Sequence, residues 1–466
     1  MEQNEISLFF EGWHNKRIAV IGVGVSNNDV IRMLARKGLN VTLCDRKNQE
    51  QLGELSEEFS NLGVKFRLGD KYLENLSDFD IILRAPGVYF YRPELVEARK
   101  SGCIVTSELE IFFHLCPCPV YAVTGSDGKT TTTTLISEML KAEGKTVHLG
   151  GNIGKPLLPL LEQVQPGDRV VAELSSFQLL SMRIAPYRAV VTNVSPNHLD
   201  VHRTMEEYIK AKKNLFIHQD AFSRTILNAD NDVIRSFAPL VRGSLWYFSR
   251  RDVPSFGAYA DQNGDIFVKD RCGSVFIMNQ EEIRIPGLHN VENYLAAISA
   301  VWGEVSSEVI CKIAREFGGV EHRIEFVREL GGVKWYNDSI ASSPSRTVAG
   351  LKAFHQKIIL LAGGYDKKIP FEPMVPYILD KVKALILMGN TAPKIEAAVR
   401  SGTGFNEAEL PIYHAADLAD SVRIAKEIAV QGDIVSLSPA CASFDSFPNF
   451  EVRGRKFKEL VNGLGH

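Results

Sequence analysis

A glycine-rich segment at residues 124–131, Thr-Gly-Ser-Asp-Gly-Lys-Thr-Thr, stands between a predicted buried strand and a predicted helix. The apolar run 119–123 predicts the strand, and apolar residues at helical spacing from Leu135 to Leu140 predict a helix that ends at Gly144. Glycines in a strand-to-helix turn allow backbone amides to surround phosphate oxygens at the N-terminus of the helix. The segment therefore predicts an α/β unit that binds a nucleoside triphosphate.

The side chains after the glycines have the chemistry for phosphate and magnesium. Lys129 supplies a mobile positive charge, and the hydroxyl of Thr130 or Thr131 can reach a magnesium ion. The common GxxxxGK[ST] loop has a glycine where Val123 stands, so this loop is a shortened one of the form TGxxGKTT. A glycine turn can be purely structural, but the order Gly-Lys-Thr-Thr favours phosphate binding.

The size and charge of the chain narrow its class. With 466 residues the chain exceeds the size of a single hydrophobic core, and about two to four domains are expected. The net charge of −3 gives no reason to expect a nucleic-acid or membrane partner. No apolar run approaches the ~18 residues of a membrane span, and the acidic residues 1–5 do not resemble a signal peptide. The scattered cysteines indicate reduced thiols in a cytoplasmic protein, which we expect to be a monomer.

Residues 17–107 alternate short apolar strands with amphipathic helices, which predicts a Rossmann-like domain over residues 1–107. The turn at 22–26 resembles the start of a dinucleotide fingerprint, and Asp45 follows at about the 20-residue spacing at which such a fingerprint places its ribose-binding carboxylate. Asn27 replaces the third glycine, which disfavours NAD; another nucleotide-bearing ligand and a purely structural turn are the alternatives. The predicted strands are residues 17–21, 41–45 and 80–83.

Residues 108–318 are predicted to form a larger α/β domain around the phosphate loop. One strand ends at Glu173 and another leads into a segment with His198, and ligands collect at the carboxyl ends of parallel strands. Glu173 is a candidate magnesium ligand because a buried carboxylate needs a cation. His198 is either a metal ligand or a hydrogen-bonding residue. The other predicted elements are the strands 169–173 and 189–193, a lysine-rich helix at 208–213, an antiparallel annex at 244–285 and a helix that begins at 286–290.

Residues 319–466 are predicted to form a second Rossmann-like sheet, which begins with a hairpin that turns at Gly331-Gly332. Arg323 either neutralises charge on a transferring phosphoryl group or forms a salt bridge at a domain interface. Asp338 either binds a ribose hydroxyl or caps the following turn. The small polar residues 438–445 suit a binding loop, with a structural turn as the alternative. The later predicted strands are residues 357–361, 384–388 and 433–437.

Taken together, these segments resemble the Mur ligase family, which adds amino acids to cell-wall precursors. The resemblance covers nearly the whole chain and rests on residues 124–131, 151–154, Glu173, His198, 289–290, 321–323 and 337–339, in the order of the family. Within the family, the segments 22–26, 173–178 and 438–445 are most similar to those of the member that adds D-glutamate. The resemblance implies a three-domain α/β ligase of peptidoglycan synthesis, with ATP and Mg²⁺ as cofactors and UDP-N-acetylmuramoyl-L-alanine and D-glutamate as substrates.

The resemblance also implies which residues form each site. The UDP substrate is expected at Val25, Ser26, Asp45, Arg46, Ala85, Pro86, Gly87 and Asn152. ATP is expected at Gly125, Ser126, Asp127, Gly128, Lys129, Thr130, Thr131, Asn290, Arg323 and Asp338. Magnesium is expected at Thr130, Glu173, His198 and Lys212, which matches the family lysine that is carbamylated. D-glutamate is expected at Lys367, Ser443 and Phe450, and the catalytic set is Lys129, His198, Lys212 and Arg323.

The implied reaction activates a carboxylate. ATP phosphorylates the alanine carboxylate to an acyl phosphate, the amine of D-glutamate attacks, and phosphate leaves from a tetrahedral intermediate. Such chemistry depends on positioning and charge neutralisation rather than on a protein nucleophile. It also implies closure of the domains, because water would hydrolyse the acyl phosphate.

Several positions depart from the common pattern of the family, among them Asp127 and Ile340. Asp127 stands where Asn or His is common, and we expect it at the loop tip, where it faces the solvent or a backbone donor. Ile340 stands where a lysine is common, so the D-glutamate site depends more on Lys367 and Ser443. Arg346 is the residue that we expect to compensate for the missing lysine.

Three other functions compete with this interpretation. A sister ligase for another amino acid, such as a folylpolyglutamate-type ligase, is disfavoured by the segments 175–178 and 440–445. An NAD-dependent dehydrogenase does not explain Lys129. A non-catalytic nucleotide-binding regulator does not need Glu173, His198 and Arg323 together.

Overall fold

The structure, a computed structural model, describes residues 3–24, 27–195, 202 and 204–465. It contains three β-sheets, with helices between most of the strands. The chain divides into two compact units: residues 1–280 with 292–313, and residues 281–291 with 314–466. The first unit holds two of the sheets and the second unit holds the third.

The first sheet contains five parallel strands in the order β3-β2-β1-β4-β5. This is the Rossmann strand order 3-2-1-4-5 without the sixth strand, as predicted for the N-terminal domain. The strands are β1 (Arg17–Ile21), β2 (Asn40–Asp45), β3 (Lys65–Leu68), β4 (Ile81–Arg84) and β5 (Ile104–Thr106). The helices are α1 (Gln3–Glu11), α2 (Asn28–Arg36), α3 (Gln49–Leu52), α4 (Glu54–Asn61), α5 (Pro93–Lys100) and α6 (Glu108–Leu115).

The second sheet contains nine strands in the order β14-β13-β12-β11-β10-β9-β6-β8-β7. The strands are β6 (Val120–Thr124), β7 (Val147–Gly151), β8 (Arg169–Glu173), β9 (Arg188–Val191), β10 (Arg224–Asn228), β11 (Ser244–Ser249), β12 (Gly257–Ala260), β13 (Asp265–Asp270) and β14 (Gly273–Asn279). The helices are α7 (Lys129–Ala142), α8 (Ser176–Leu179), α9 (Met205–Lys213), α10 (Asp232–Arg235), α11 (Leu288–Val301) and α12 (Ser307–Glu316).

The predicted annex at 244–285 is part of this sheet rather than a separate layer. β12, β13 and β14 are antiparallel, as predicted. β11, in contrast, runs parallel to both β10 and β12. The chain reaches β11 from β10 through the helix α10, and a connection of this kind returns the chain to the same edge and makes the two strands parallel.

The third sheet contains six strands in the order β15-β16-β20-β17-β18-β19. Its strands are β15 (Glu325–Leu330), β16 (Val333–Asn337), β17 (Ile358–Gly363), β18 (Val382–Met388), β19 (Ile412–His414) and β20 (Ile434–Leu437). Its helices are α13 (Pro344–Lys352), α14 (Val375–Lys381), α15 (Ala392–Arg400), α16 (Leu418–Ile428) and α17 (Phe450–Asn462). β15 and β16 form the predicted hairpin, and Gly331 and Gly332 have φ angles of +58° and +76°, as the tightest hairpin turns require.

Alternate residues of β17 pack on opposite faces of the third sheet. Ile358, Leu360 and Ala362 belong to the cluster that includes α13, α14 and α15. Ile359 and Leu361 belong to the cluster that includes α16 and α17. The sheet is therefore covered on both faces, which explains why its strands are continuous apolar runs.

One hydrophobic cluster extends through the first and second sheets. It includes Val20 of β1, Phe112 of α6 and Val191 of β9, all completely buried. These two sheets therefore share a core within the first unit. No helix among the residues that the structure describes is long and apolar enough to cross a membrane.

We expect the shared core to depend strongly on Phe112. Phe112→Ala should lower the free energy of unfolding by about 3 kcal/mol or more, because it leaves a cavity among residues from both sheets. Phe222→Ala is the matched control, since the side chain of Phe222 is 89% exposed and should contribute about 0.5 kcal/mol or less. Urea unfolding measures both, and equal destabilisation by the two substitutions would contradict the shared core.

Candidate functional site

The phosphate loop requires both of its glycines. A Cβ atom on Gly125 would lie 1.8 Å from Oγ1 of Thr192, and a Cβ on Gly128 would lie 2.3 Å from Oδ1 of Asn293. Gly128 also has a φ angle of +76°, which is unfavourable for other residues. The sequence motif therefore corresponds to a real spatial constraint, because the loop backbone passes close to two neighbouring segments.

The residues that follow β9 hold the loop in place. The amides of Ser126 and Asp127 donate to Oδ1 of Asn193, at 3.1 and 2.8 Å, and Oγ1 of Thr192 donates to the Asp127 carbonyl at 2.6 Å. Thr192 and Asn193 were predicted as strand residues, but β9 ends at Val191 because their side chains bind the loop. The side chain of Asp127 is exposed at the loop tip, as expected.

The first turn of α7 provides the remaining donors for an anion. Thr132 makes the first helical hydrogen bond, to the carbonyl of Gly128, so the amides of residues 129–131 have no partner within the helix. These amides lie at the positive end of a helix of 14 residues. Thr130, the predicted magnesium-binding hydroxyl, is half-buried in this turn.

Two lysines donate to the same carbonyl in the loop. Nζ of Lys129 lies 3.0 Å from the Gly125 carbonyl oxygen, and Nζ of Lys212 lies 2.7 Å from the same atom. Lys212 is 1% exposed. Burial, together with repulsion from Lys129, lowers the pKa of Lys212 to about 6. At neutral pH, Lys212 is therefore mostly an uncharged, nucleophilic amine.

Glu173 presents a buried carboxylate oxygen beside the loop. Val123 of β6 pairs with Glu173 of β8, so the carboxylate lies at the carboxyl end of the sheet next to the loop. Nδ2 of Asn152 donates to Oε1 of Glu173 at 2.7 Å, whereas Oε2 has no hydrogen-bond partner among the described residues. A buried carboxylate oxygen without a partner is costly, and a cation would remove that cost.

The side-chain oxygens of Glu173 and Thr130 are suitable ligands for a magnesium ion. Mg²⁺ is commonly held by one or two protein oxygens together with water and substrate phosphates, rather than by a complete protein cage. Among the described residues there is no group of three or more histidine, cysteine or acidic side chains that could hold a metal alone. Glu173 and Thr130 are consistent with such a shared site. His198, the other predicted ligand, lies outside the described residues.

The segment after Glu173 has a structural role that the sequence interpretation missed. Ser175 caps α8, and Gln178 bonds back to it in a reciprocal capping box. Oγ of Ser176 lies 2.8 Å from Nε2 of His202, and the His202 ring is stacked on Phe177 with centroids 5.1 Å apart. The spacing of Ser175 and Gln178 is the signal in the sequence that could have indicated the cap.

In the first sheet, the predicted UDP residues follow neighbouring parallel strands. Arg46 follows β2 and is exposed, whereas Ala85 and Pro86 follow β4 and are half-buried and Gly87 is exposed. β4 and β2 both pair with β1, so these segments share one edge of the sheet. Val25 and Ser26, predicted for the same site, lie outside the described residues.

Asp45 and Asn27 hold the turn after β1. The carboxylate of Asp45 accepts from the amide of Val23 at 2.5 Å and from the amide of Lys47 at 2.8 Å. Nδ2 of Asn27 donates to the carbonyls of Ile21 and Gly22, at 3.1 and 2.9 Å. Asp45 therefore organises the backbone of the turn, and Asn27 replaces the third glycine of a dinucleotide site with a side chain that closes the turn.

In the second unit, Asp338 is buried behind the loop that follows β20. Its carboxylate accepts from Oγ of Ser438 at 2.7 Å and from the amide of Ile324 at 3.3 Å. Burial raises the pKa of Asp338 to about 7. The positive charge of Arg323 partly opposes this rise in the pKa of Asp338. Arg323 lies between His322 and Ile324, whose φ angles of +66° and +44° are unusual for residues other than glycine. Strain of this kind is maintained where a side chain must point in a particular direction.

The predicted D-glutamate residues lie on two loops and a helix of the same unit. Lys367 is exposed, and its Nζ is 3.3 Å from the Ser342 carbonyl oxygen. Ser443 is 2% exposed, and the half-buried Phe450 begins α17. Near Lys367, Nη1 of Arg346 donates to the carbonyl of Ile340 at 3.1 Å.

Arg453 is a site residue that the sequence did not indicate. It is 2% exposed and donates to the carbonyls of Ser339, Cys441 and Ala442 at 2.9 to 3.1 Å. It thereby joins the turn after Asp338 to the predicted binding loop.

The predicted adenine contact, Asn290, is 7% exposed, and its Nδ2 donates to the Pro286 carbonyl at 2.6 Å.

Comparison with known proteins identifies the family. Three family models match the chain: a Mur ligase MurD-like N-terminal domain at 16–107, a Mur ligase middle domain at 123–301 and a Mur ligase glutamate ligase domain at 322–441. A UDP-N-acetylmuramoylalanine–D-glutamate ligase from Acetivibrio thermocellus is 52% identical over 455 residues, which are 97% of each chain. The protein of the same name from Clostridium acetobutylicum is 50% identical, again over 97% of each chain.

The chain belongs to the Mur ligase family. The solved structure of the UDP-N-acetylmuramate-alanine ligase of Thermotoga maritima covers 96% of this chain and 99% of its own, with a TM-score of 0.55 and 16% identity, and so shares the fold. The Mur ligase middle domain contains the phosphate loop, Glu173 and Lys212. The Mur ligase glutamate ligase domain contains Asp338 and Lys367.

Gly128→Ala tests whether the close approach at Asn293 is needed for nucleotide binding. We expect the substitution to raise the dissociation constant of ADP by about tenfold or more, because the new Cβ displaces the loop. Gly144→Ala is the matched control: Gly144 has a similar φ angle, +84°, but nothing within 4 Å of its added Cβ. Calorimetric titration measures both variants, and unchanged ADP binding by Gly128→Ala would contradict the constraint.

Proposed function

We propose that this chain is an ATP-dependent ligase that joins D-glutamate to UDP-N-acetylmuramoyl-L-alanine, with release of ADP and phosphate. The proposal is supported by relatives of that name at about half identity over nearly the whole chain. The observation that carries the chemistry is the phosphate loop, with two lysines on the Gly125 carbonyl and an oxygen of Glu173 that has no hydrogen-bond partner among the described residues. The reaction belongs to peptidoglycan precursor synthesis, which places the enzyme in the cytoplasm.

The loop residues bind and orient ATP in this proposal. The amides of residues 129–131 and the side chain of Lys129 hold the terminal phosphates, and Lys129 leaves its loop carbonyls to do so. Thr130 and Glu173 hold the magnesium ion, together with His198. When bound, Mg²⁺ neutralises charge on the phosphate oxygens. Asn290, Arg323 and Asp338 contact the base, the γ-phosphate and the ribose, respectively.

The reaction proceeds through an acyl phosphate. A carboxylate oxygen of the alanine attacks the γ-phosphorus, and the bond to the leaving ADP breaks. The neutral amine of D-glutamate then attacks the acyl carbon, loses a proton, and expels phosphate from the tetrahedral intermediate. The protein contributes orientation and positive charge, from Lys129 and Arg323, rather than a nucleophile.

The first and third sheets each bind one of the two substrates that are joined. The segments after β1, β2 and β4 hold the uridine nucleotide through Val25, Ser26, Asp45, Arg46, Ala85, Pro86 and Gly87, and Asn152 lies on the muramoyl-alanine side. The third sheet holds D-glutamate through Lys367, Ser443 and Phe450, with Arg346 in support.

We place the domain boundaries at residues 1–107, 108–318 and 319–466, and expect a monomer that needs no nucleic acid or membrane.

Lys212 acts as a carbamate in this proposal. Its neutral amine adds to carbon dioxide and loses a proton, which gives an anion attached to Nζ. The lowered pKa supports this step because only the unprotonated amine reacts. The product adds a second anionic group, besides Glu173, as a ligand for the magnesium ion.

Substrate-dependent phosphate release tests the proposed function. With ATP, magnesium and UDP-N-acetylmuramoyl-L-alanine present, we expect sustained release of phosphate only when D-glutamate is added. L-glutamate, L-lysine, meso-diaminopimelate and glycine are the comparisons. Release that does not depend on D-glutamate, or that another amino acid supports better, would overturn the assignment.

Carbon-13 labelling tests the role of Lys212. Protein equilibrated with labelled bicarbonate at pH 8 should show a carbamate resonance that is absent from Lys212→Arg. The resonance should weaken as the pH falls below about 6, where the amine becomes protonated. Lys210→Arg, on the same helix, should retain the signal, and a resonance that persists in Lys212→Arg would exclude this lysine.

A further inference from the structure

Arg84, the last residue of β4, is a buried cation in the first unit. It is 2% exposed, and its hydrogen bonds to the described residues go to neutral acceptors: three carbonyl oxygens of the following loop, one more carbonyl and a hydroxyl. Its Nε has no hydrogen-bond partner among the described residues. Burial of a charge on neutral partners is costly, so a buried arginine of this kind needs an explanation.

The guanidinium determines which way the loop at 85–88 faces. Nη1 donates to the carbonyls of Ala85, Pro86 and Val88, at 3.2, 3.2 and 2.7 Å. The carbonyl and the amide of one trans peptide unit point in opposite directions. Since the carbonyl of Pro86 points inward to Arg84, the amide of Gly87 points outward. Gly87 is exposed, so its amide is available to an anionic ligand.

The other arm of Arg84 reaches the second sheet. Nη2 donates to the Phe177 carbonyl at 3.2 Å and to Oγ of Ser181 at 3.3 Å. Phe177 belongs to α8, which follows Glu173. The side chain of Arg84 thus connects the loop after β4 to the segment that follows β8 in the second sheet.

The charge of Arg84 persists at neutral pH. Burial lowers its pKa to about 10, which still leaves the guanidinium protonated at pH 7.5. The carboxylate that acts on it electrostatically is Glu110, whose own pKa burial raises to about 7. The positive charge behind the loop is therefore only partly compensated, which favours an anion on the outer side of the loop.

We propose that Arg84 is a positioning residue that orients the loop at 85–88 for the diphosphate of the uridine nucleotide and fixes that loop to residues 177–181. The inference rests on the proposed function, because it assumes that this loop binds the UDP part of the substrate. Arg84 itself remains behind the loop and does not touch the ligand. Its loss weakens binding of the uridine substrate much more than binding of ADP.

Equilibrium binding of two ligands tests this role. We expect Arg84→Met to raise the dissociation constant of UDP-N-acetylmuramoyl-L-alanine by about tenfold, and that of ADP by about twofold or less. Arg84→Lys, which keeps the charge but has fewer donors, should lie between Arg84→Met and the wild type. Arg99→Met is the matched control: Arg99 contacts the same Phe90 ring as Arg84, at 4.1 Å, but makes none of the loop contacts.

The outcomes separate the inference from its premise. Equal losses of affinity for both ligands, or an unchanged affinity for the uridine substrate, would overturn the role of Arg84. A wild-type chain that does not bind the uridine substrate would instead refute the proposed function. If Arg84→Met does not fold, Ser181→Ala tests the inference instead, because it removes one hydrogen-bond acceptor of Arg84. We expect the KM of the uridine substrate to rise about twofold and the KM of ATP to stay unchanged. An unchanged KM of the uridine substrate would contradict the inference.

Discussion

The carbonyl oxygen of Gly125 is the acceptor on which the catalytic edge of the second sheet depends. Two lysines donate to it, one from the helix that follows the loop and one from the distant helix α9. Two full positive charges at one neutral oxygen would repel each other strongly in a buried site. Burial, together with repulsion from Lys129, lowers the pKa of Lys212 to about 6, which relieves this conflict at neutral pH.

The parallel topology brings the other groups to the same edge. β6 lies between β8 and β9, so Glu173 is on one side of the loop and Thr192 and Asn193 are on the other. The glycines are needed because the loop backbone lies within contact distance of Thr192 at Gly125 and of Asn293 at Gly128. In the same unit the shared core and Arg84 connect the first sheet to the segment after β8.

The sequence indicated the elements whose signals are local. Apolar runs predicted the central strands of the three sheets but not β3, β5, β7, β10 and β19. Gly331-Gly332 predicted the hairpin, and both residues have the positive φ angles that such a turn needs. Contacts between distant segments were not predictable in this way. Asn193 binds the loop 66 residues away, Arg84 reaches Ser181 over 97 residues, and β11 pairs in parallel because a helix intervenes. The capping role of Ser175 was readable in principle, but its segment was interpreted as a mark of family membership instead.

The central claim is that this edge transfers phosphate from ATP to the alanine carboxylate. Oxygen-18 in that carboxylate provides the most direct measurement. If the acyl phosphate forms, one labelled oxygen leaves with each phosphate when D-glutamate displaces it, and mass spectrometry of the released phosphate will detect that label. Unlabelled phosphate, released while the amide product forms and keeps one labelled oxygen, would mean that the other labelled oxygen left by another route and would contradict the account.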